Sequence, residues 1–204
     1  RMAAYWLRTR PEQAIVMRPA TGALQGFMLA LRLEDMTAAD RAQDPGAAAA
    51  WRFLRDQAPL RPGETATLFR FWMDRDSYQA VSPTQSRIFL NMVQHYLTTH
   101  GLAYTFLPCA DPDFWLGIFA FADLRRIPDA DFTVGGRDYG VYGHDWRAFP
   151  PLLWLEGMAA AEAAKNASED RLRKIQETLP EFEAAAAIHD REALDVADMA
   201  FHVA

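Results

Sequence analysis

Met73-Asp-Arg-Asp-Ser-Tyr-Gln-Ala-Val-Ser-Pro-Thr-Gln-Ser-Arg-Ile88 joins a strongly apolar run to an amphipathic one, and its reading decides the fold. Upstream, Thr65 to Met73 (TATLFRFWM) is rich in β-branched and aromatic residues and reads as a strand. Downstream, Ser86 to Thr98 places Ile88, Phe89, Met92, Val93, Tyr96 and Leu97 at helical spacing. A strand feeding the start of a helix is where proteins hold anions, because the first turn has unpaired N–H groups and a partial positive charge. The stretch therefore points to a binding place before it points to a reaction.

Working outward, Ala14 to Met17 and Gly26 to Leu33 are β-type runs joined by a link containing Pro19 and Gly22, which predicts an antiparallel hairpin. In the second run Phe27, Leu29, Leu31 and Leu33 share one face, so that face belongs to the core. Thr37 with Asp40 three residues later predicts a helix start, and helical sequence runs to Gln57 with a break near Asp44-Pro-Gly46. Beyond the central helix, His100-Gly101 is a stop, and Leu102 to Cys109 (LAYTFLPC) reads as a strand buried on both faces. Asp111-Pro112 opens another helix, read as extending to Arg126, and Gly135-Gly136 joins the two strands of a closing hairpin. After Pro150-Pro151 the composition turns alanine-rich and charged. This predicts a helical extension over 151–204 behind a mixed α/β domain over 1–150, with a new helix starting at the capping-box pattern Thr178 to Glu181.

Bulk properties narrow the function classes. A chain of 204 residues with half its residues hydrophobic and a net charge of -6 is an ordinary globular composition, and it lacks the basic face that nucleic acid or an anionic membrane surface requires. The single cysteine, Cys109, excludes an intramolecular disulfide and a cysteine metal cluster, which fits a reducing, cytoplasmic setting. No apolar run reaches the ~18 residues of a membrane span, and no signal-peptide pattern opens the chain. No His/Cys spacing suited to a metal occurs, nor a G-x-S-x-G elbow or a Walker loop. The chain opens at Arg1 inside a helix-like segment and reads as a piece of a longer protein.

With a strand–loop–helix at 65–98 and a second strand and helix after it, the chain resembles the GCN5-related N-acetyltransferase superfamily over roughly Tyr5 to Trp146. The family's Q/R-x-x-G-x-G/A loop aligns with Gln79-Ala-Val-Ser82-Pro-Thr84, and the family's first strand and first helix are missing or lie outside this chain. The resemblance implies a mixed, mostly antiparallel sheet with flanking helices, binding of acetyl-CoA or another acyl-CoA, and transfer of the acyl group to a small-molecule or peptide amine. It places the pantetheine arm along Phe71, Trp72 and Met73. The pyrophosphate falls at Gln79, Ser82, Thr84, Gln85 and Ser86, with Arg75 or Arg87 adding charge. Candidate bases are Glu64 and Asp74. The tyrosine that often serves as the family's acid is matched by Phe121, which has no proton to give, so Tyr78, Tyr139 or Tyr142 would have to replace it.

The departures from the motif support a second reading. Ser82 and Thr84 stand where glycines would admit a phosphate, and Pro83 between them has no N–H. Ser82, Pro83 and Gln85 together read as a helix cap, which satisfies the same amides. The alternative is a non-catalytic module for sensing or interaction in a larger bacterial protein, paired as a homodimer or with neighbouring domains. The gap between the central strand and Leu102 to Cys109 separates the two readings: open for an acyl-CoA, or filled by Trp72, Phe106 or Trp115.

Overall fold

A computed structural model describes residues 2–18 and 22–201, with side chains described through residue 174 and at 176 and 177. Contacts divide the chain into two units, 1–155 and 156–204. The first unit is a seven-stranded sheet in the order β1 (Ala14–Met17), β2 (Gly26–Arg32), β3 (Thr65–Asp74), β4 (Leu102–Cys109), β7 (Arg137–Asp145) and β5 (Arg125–Arg126), with β6 (Phe132–Val134) also pairing β7. Every pairing is antiparallel except β3 with β4. The helices are α1 (Met2–Thr9), α2 (Ala38–Gln43), α3 (Pro45–Gln57), α4 (Pro83–Thr98), α5 (Pro112–Phe121) and α6 (Pro151–Phe201). This is a mixed, mostly antiparallel sheet flanked by helices, with one parallel pair among the described residues.

Local chemistry accounts for most of the boundaries. Thr37 and Asp40 form the reciprocal capping box that starts α2, and Asp44 ends that helix while its carboxylate accepts from Gly46 N to start α3. Gly135 and Gly136 sit at φ 60° and 73°, a left-handed pair that closes the β6–β7 turn at little steric cost. Helix α5 stops at Phe121, five residues short of the expected end, because Asp123 takes a left-handed conformation (φ 51°) and Arg125–Arg126 pair with β7 instead. Met28, expected on the face opposite Leu29, is as buried as Leu29, since helices cover both faces of the sheet.

One irregularity in β3 sets which of its side chains reach each face of the sheet. Leu29 pairs with Phe71 and Ala30 with Phe69, so Arg70 is an extra residue, a β-bulge. Strict alternation would send Phe69 and Trp72 to opposite faces. The bulge sends both to the α4 and α5 side, where Phe69 packs on Tyr96, and Trp72 packs on Phe89, Trp115 and Phe119. Arg70 points the other way and is buried against the start of α3. Its Nε lies 2.8 Å from both oxygens of Asp44, which also accepts from Trp6 Nε1 at 2.8 Å. A charge pair this dry persists because every oxygen is hydrogen-bonded, and removing one partner costs about 3–5 kcal/mol.

The parallel pair runs from Thr65 to Leu68 against Leu102 to Phe106, with a register shift after Thr65, and beyond those residues the pairing ends and the strands part. Pro108 lies in the divergent part. Proline cannot donate to a ladder, so it is tolerated in a central strand where pairing on that side has already ended.

The second unit is helical. The tail expected as several segments is one continuous helix from residue 151, with no new start at 178–181, although the side chains of that capping-box pattern lie outside the described residues. Its described charges sit on an exposed surface, with pairs such as Lys165–Glu169 at 3.9 Å and Arg173–Asp170 at 2.9 Å. No helix among the described residues is long and apolar enough to cross a membrane.

Candidate functional site

The carboxyl ends of β3 and β4 meet the loops leading into α4 and α5, the position at which open α/β sheets place ligands. A cleft of about 440 Å³ opens there, lined by Ser77 to Ala80, Ala110, Asp111, Phe114, Trp115 and Arg137. Tyr78 at its edge adopts φ 54°, pairs with Asp74 through an isolated bridge, and shares a 3.0 Å hydroxyl contact with Tyr139. Burial, and then the Tyr139 contact, push the Tyr78 phenol above its ordinary range, so it holds its proton. Arg137 lies 5.6 Å over the Tyr78 ring.

Between the diverging strands the gap is bridged by side chains. Trp72, fully buried, donates from Nε1 to Pro108 O at 2.8 Å, so a β3 indole is fastened to the β4 backbone. Gln79, also buried, donates to the same carbonyl at 3.2 Å and accepts from Ala110 N at 2.9 Å, clasping the two loops together. Trp115 and Phe119 stack on each other and fill the space beneath Trp72.

The loop is braced largely from within, while the buried Ser77 Oγ and Gln85 Oε1 have no hydrogen-bond partner among the described residues. Asp74 Oδ1 accepts from Asp76 N at 2.7 Å and Ser77 N at 3.0 Å, and Oδ2 lies 3.4 Å from Ser82 Oγ. Hydrogen bonding from Thr84 first, and then from these amides, holds the Asp74 carboxyl well below the usual carboxylate range. Ser82 caps α4 by accepting from Gln85 N at 3.1 Å. The buried Gln85 does not complete a reciprocal box; it turns back to donate to Tyr78 O at 2.8 Å. The Asp74 carboxylate thus lies beside the N-cap of α4, where its negative charge disfavours a second anion.

Each residue expected at the site can be placed. Glu64 and Asp74 flank opposite ends of β3, ~30 Å apart at the usual rise per residue, so one centre cannot use both. Glu64 accepts from Arg61 N at 2.9 Å and lies 3.6 Å from Arg147. Phe71 is half-buried on the α3 side of the bulge, 6.2 Å from Phe27, and so faces away from Trp72. Met73 is half-buried, and its carbonyl lies so close to Gly26 that a Cβ on Gly26 would approach to 2.5 Å. Thr84 is buried against Gly26 and serves Asp74. Ser86 and Arg87 are exposed on the first turn of α4. The structure therefore brings together Trp72, Asp74, Tyr78, Gln79, Ser82, Thr84 and Gln85, and leaves Glu64 and Phe71 outside. Tyr142 OH is committed to Pro112 O at 2.8 Å, and Phe121 sits exposed at the end of α5.

His95 and the polar residues of the Gly143 to Arg147 segment have structural partners. His95 joins Thr67 and Thr99 and is pushed down to about 4 by burial, hence neutral. In the Gly143 to Arg147 segment Trp146 is core, bonded to Thr105 Oγ1, and Asp145 pairs with Arg147. Among the described residues no cluster of His, Cys, Asp and Glu is arranged to hold a metal ion.

Residues 152–204 match the FCD domain family. No curated protein matches the chain significantly. Among solved structures the chain resembles Arabidopsis thaliana NAA60 in complex with a bisubstrate analogue, at 10% identity over 63% of this chain and 69% of that one, with a TM-score of 0.40. It also resembles the same protein in complex with acetyl-CoA, at 11% identity over 64% and 71%, with a TM-score of 0.39.

Proposed function

We propose that residues 1–155 form a non-catalytic module on an acetyltransferase-type fold, serving sensing or interaction within a larger protein. The observation that carries this reading is the Trp72–Pro108 bond across the gap between β3 and β4, because the space a pantetheine arm would need is taken by a buried indole. The loop supports the same conclusion. An acyl-CoA pyrophosphate would have to displace the Asp74 carboxylate from the start of α4, and like charges at that distance repel. Neither candidate base suits an amine proton either, since Glu64 lies a strand length away and Asp74, held ionised well below the usual carboxylate range, is a weak base. The residues present do not fit the cofactor that the resemblance implies. The FCD match over 152–204 supports treating the helical segment as part of a separate unit.

The deciding experiment is calorimetric titration of the full chain with acetyl-CoA and with CoA. The expected result is no saturable heat at millimolar ligand. Saturable binding that Ser82→Asp weakens would restore the acyl-CoA reading, with transfer to an amine as its sequel.

A further inference from the structure

His144 lies in β7, buried, and its two ring nitrogens meet the same kind of group. Nδ1 is 2.8 Å from Asp123 O, in the turn between α5 and β5, and Nε2 is 3.1 Å from Phe149 O, in the turn that leads into α6. A backbone carbonyl oxygen only accepts, and a neutral imidazole carries one N–H, so only the doubly protonated ring satisfies both contacts. In the neutral ring one nitrogen turns a lone pair toward a carbonyl oxygen, and that contact becomes repulsive.

We infer that His144 is a proton-operated latch: its imidazolium ties the α5–β5 turn to the turn entering α6, and loss of one proton frees Phe149 O. The surroundings decide which contact yields. The Asp123 contact is the shorter, and the Asp123 carboxylate, with Oδ2 3.7 Å from Nδ1, favours keeping an N–H at that nitrogen. Phe149 is 37% exposed and precedes Pro150-Pro151, so water can replace the ring at its carbonyl. Burying a charged ring is costly, and the same carboxylate, the two carbonyls and the Trp146 ring, 4.2 Å from the imidazole, offset that cost. The other charged groups nearby are already paired. Arg125 lies 3.9 Å from Asp123 Oδ1, and Asp145 and Arg147, which follow the ring in the chain, lie 2.9 Å apart. From β4 the neighbour is Thr105, opposite His144 in register; from α4 it is Tyr96, which packs on Trp146 and keeps its proton because burial pushes its phenol up. Trp154 Nε1, donating to Ala122 O at 2.8 Å, is a second tie between the same two turns, and it does not titrate. The latch is therefore closed in acid and opens as pH rises through the histidine range, about 5 to 8.

The test is a pH series on the full chain over that range, reading the ring-nitrogen resonances of His144 together with amide hydrogen exchange. Both nitrogens are expected to carry protons at the acid end and Nδ1 alone at the other. Exchange at the Phe149 and Trp154 amides, corrected for its intrinsic pH dependence, is expected to be about tenfold faster once Nε2 is bare. His144→Gln, which keeps one donor at every pH, is expected to remove that change, and His100→Gln, at an exposed position, to leave it intact. Asp123→Asn, whose side chain tolerates the left-handed backbone at that position (φ 51°), is expected to move the transition to lower pH. Should His144→Gln fail to fold, the ring resonances and exchange rates of the unsubstituted chain still decide. A ring whose proton count is constant over the series, a last proton held at Nε2, exchange that ignores the ring's titration, or a pH response that survives in His144→Gln would overturn the inference.

Discussion

The two junctions at the open end of the parallel pair are written in the same local grammar and end in opposite states. Each runs from a strand into a helix through a polar N-cap followed by proline: Ser82-Pro83 before α4, Asp111-Pro112 before α5. At the first, the loop closes on itself around Asp74, and α4 buries a full stripe of Thr84, Gln85, Ile88, Met92 and Tyr96. At the second, the cap is equally regular, yet α5 buries two side chains and presents its remaining apolar ones to solvent. The difference teaches that a cap fixes where a helix begins, while burial decides what the helix is for.

The contrast can be broken most severely at the bridge that closes the first junction. Trp72→Ala is expected to destabilise the chain by about 3–5 kcal/mol in urea unfolding. Trp72→Phe, which keeps most of the packing but loses the bond to Pro108 O, is expected to cost less; equal losses would mean that the hydrogen bond alone closes the gap. Asp74→Asn comes next, at about 2–3 kcal/mol near neutral pH, because hydrogen bonds to a charged acceptor are lost. Its pH dependence is diagnostic. The folded carboxyl lies below its unfolded value, so its contribution is present above about pH 4 and is lost as pH falls further. In Asp74→Asn that part of the acid limb of the stability curve should flatten, and an unchanged limb would show that Asp74 is not the loop's organising charge. The smallest effect sharpens the likeness between the junctions. Ser82→Ala and Asp111→Ala are each expected to cost about 1 kcal/mol, and strongly unequal values would show that one cap does more than start its helix.

Much of this architecture was legible in the chain because its signals are local. The hairpin of β1 and β2, the caps at Thr37, Ser82 and Asp111, the Gly135-Gly136 turn and the buried strand β4 each depend on residues within a few positions of one another. What was not legible depends on contacts distant in sequence. The bulge at Arg70 is a matter of register between two strands, and it reverses the facing of Phe71 and Trp72. The bond from Trp72 spans 36 positions to Pro108, and Gln79 reaches 29. Asp74 read as a candidate base, not as the loop's organising acceptor, because its donors are backbone amides and hydroxyls, which carry no charge pattern. One signal was present: Pro108, next to last in β4, has no N–H to donate to a second neighbouring strand. For α5, periodicity identified the helix and left unmarked which apolar positions face solvent.

The bridge across the gap also gives the molecule an optical gauge of its own state. Trp72 and Trp115 lie 5.5 Å apart at 72°, with Phe89 and Phe119 around them, in the wedge any ligand or partner must prise apart to reach the strand ends. Two indoles this close and this dry emit differently from indoles that water can reach. Opening of the wedge would therefore register as a change in intrinsic fluorescence, with no label attached to the protein.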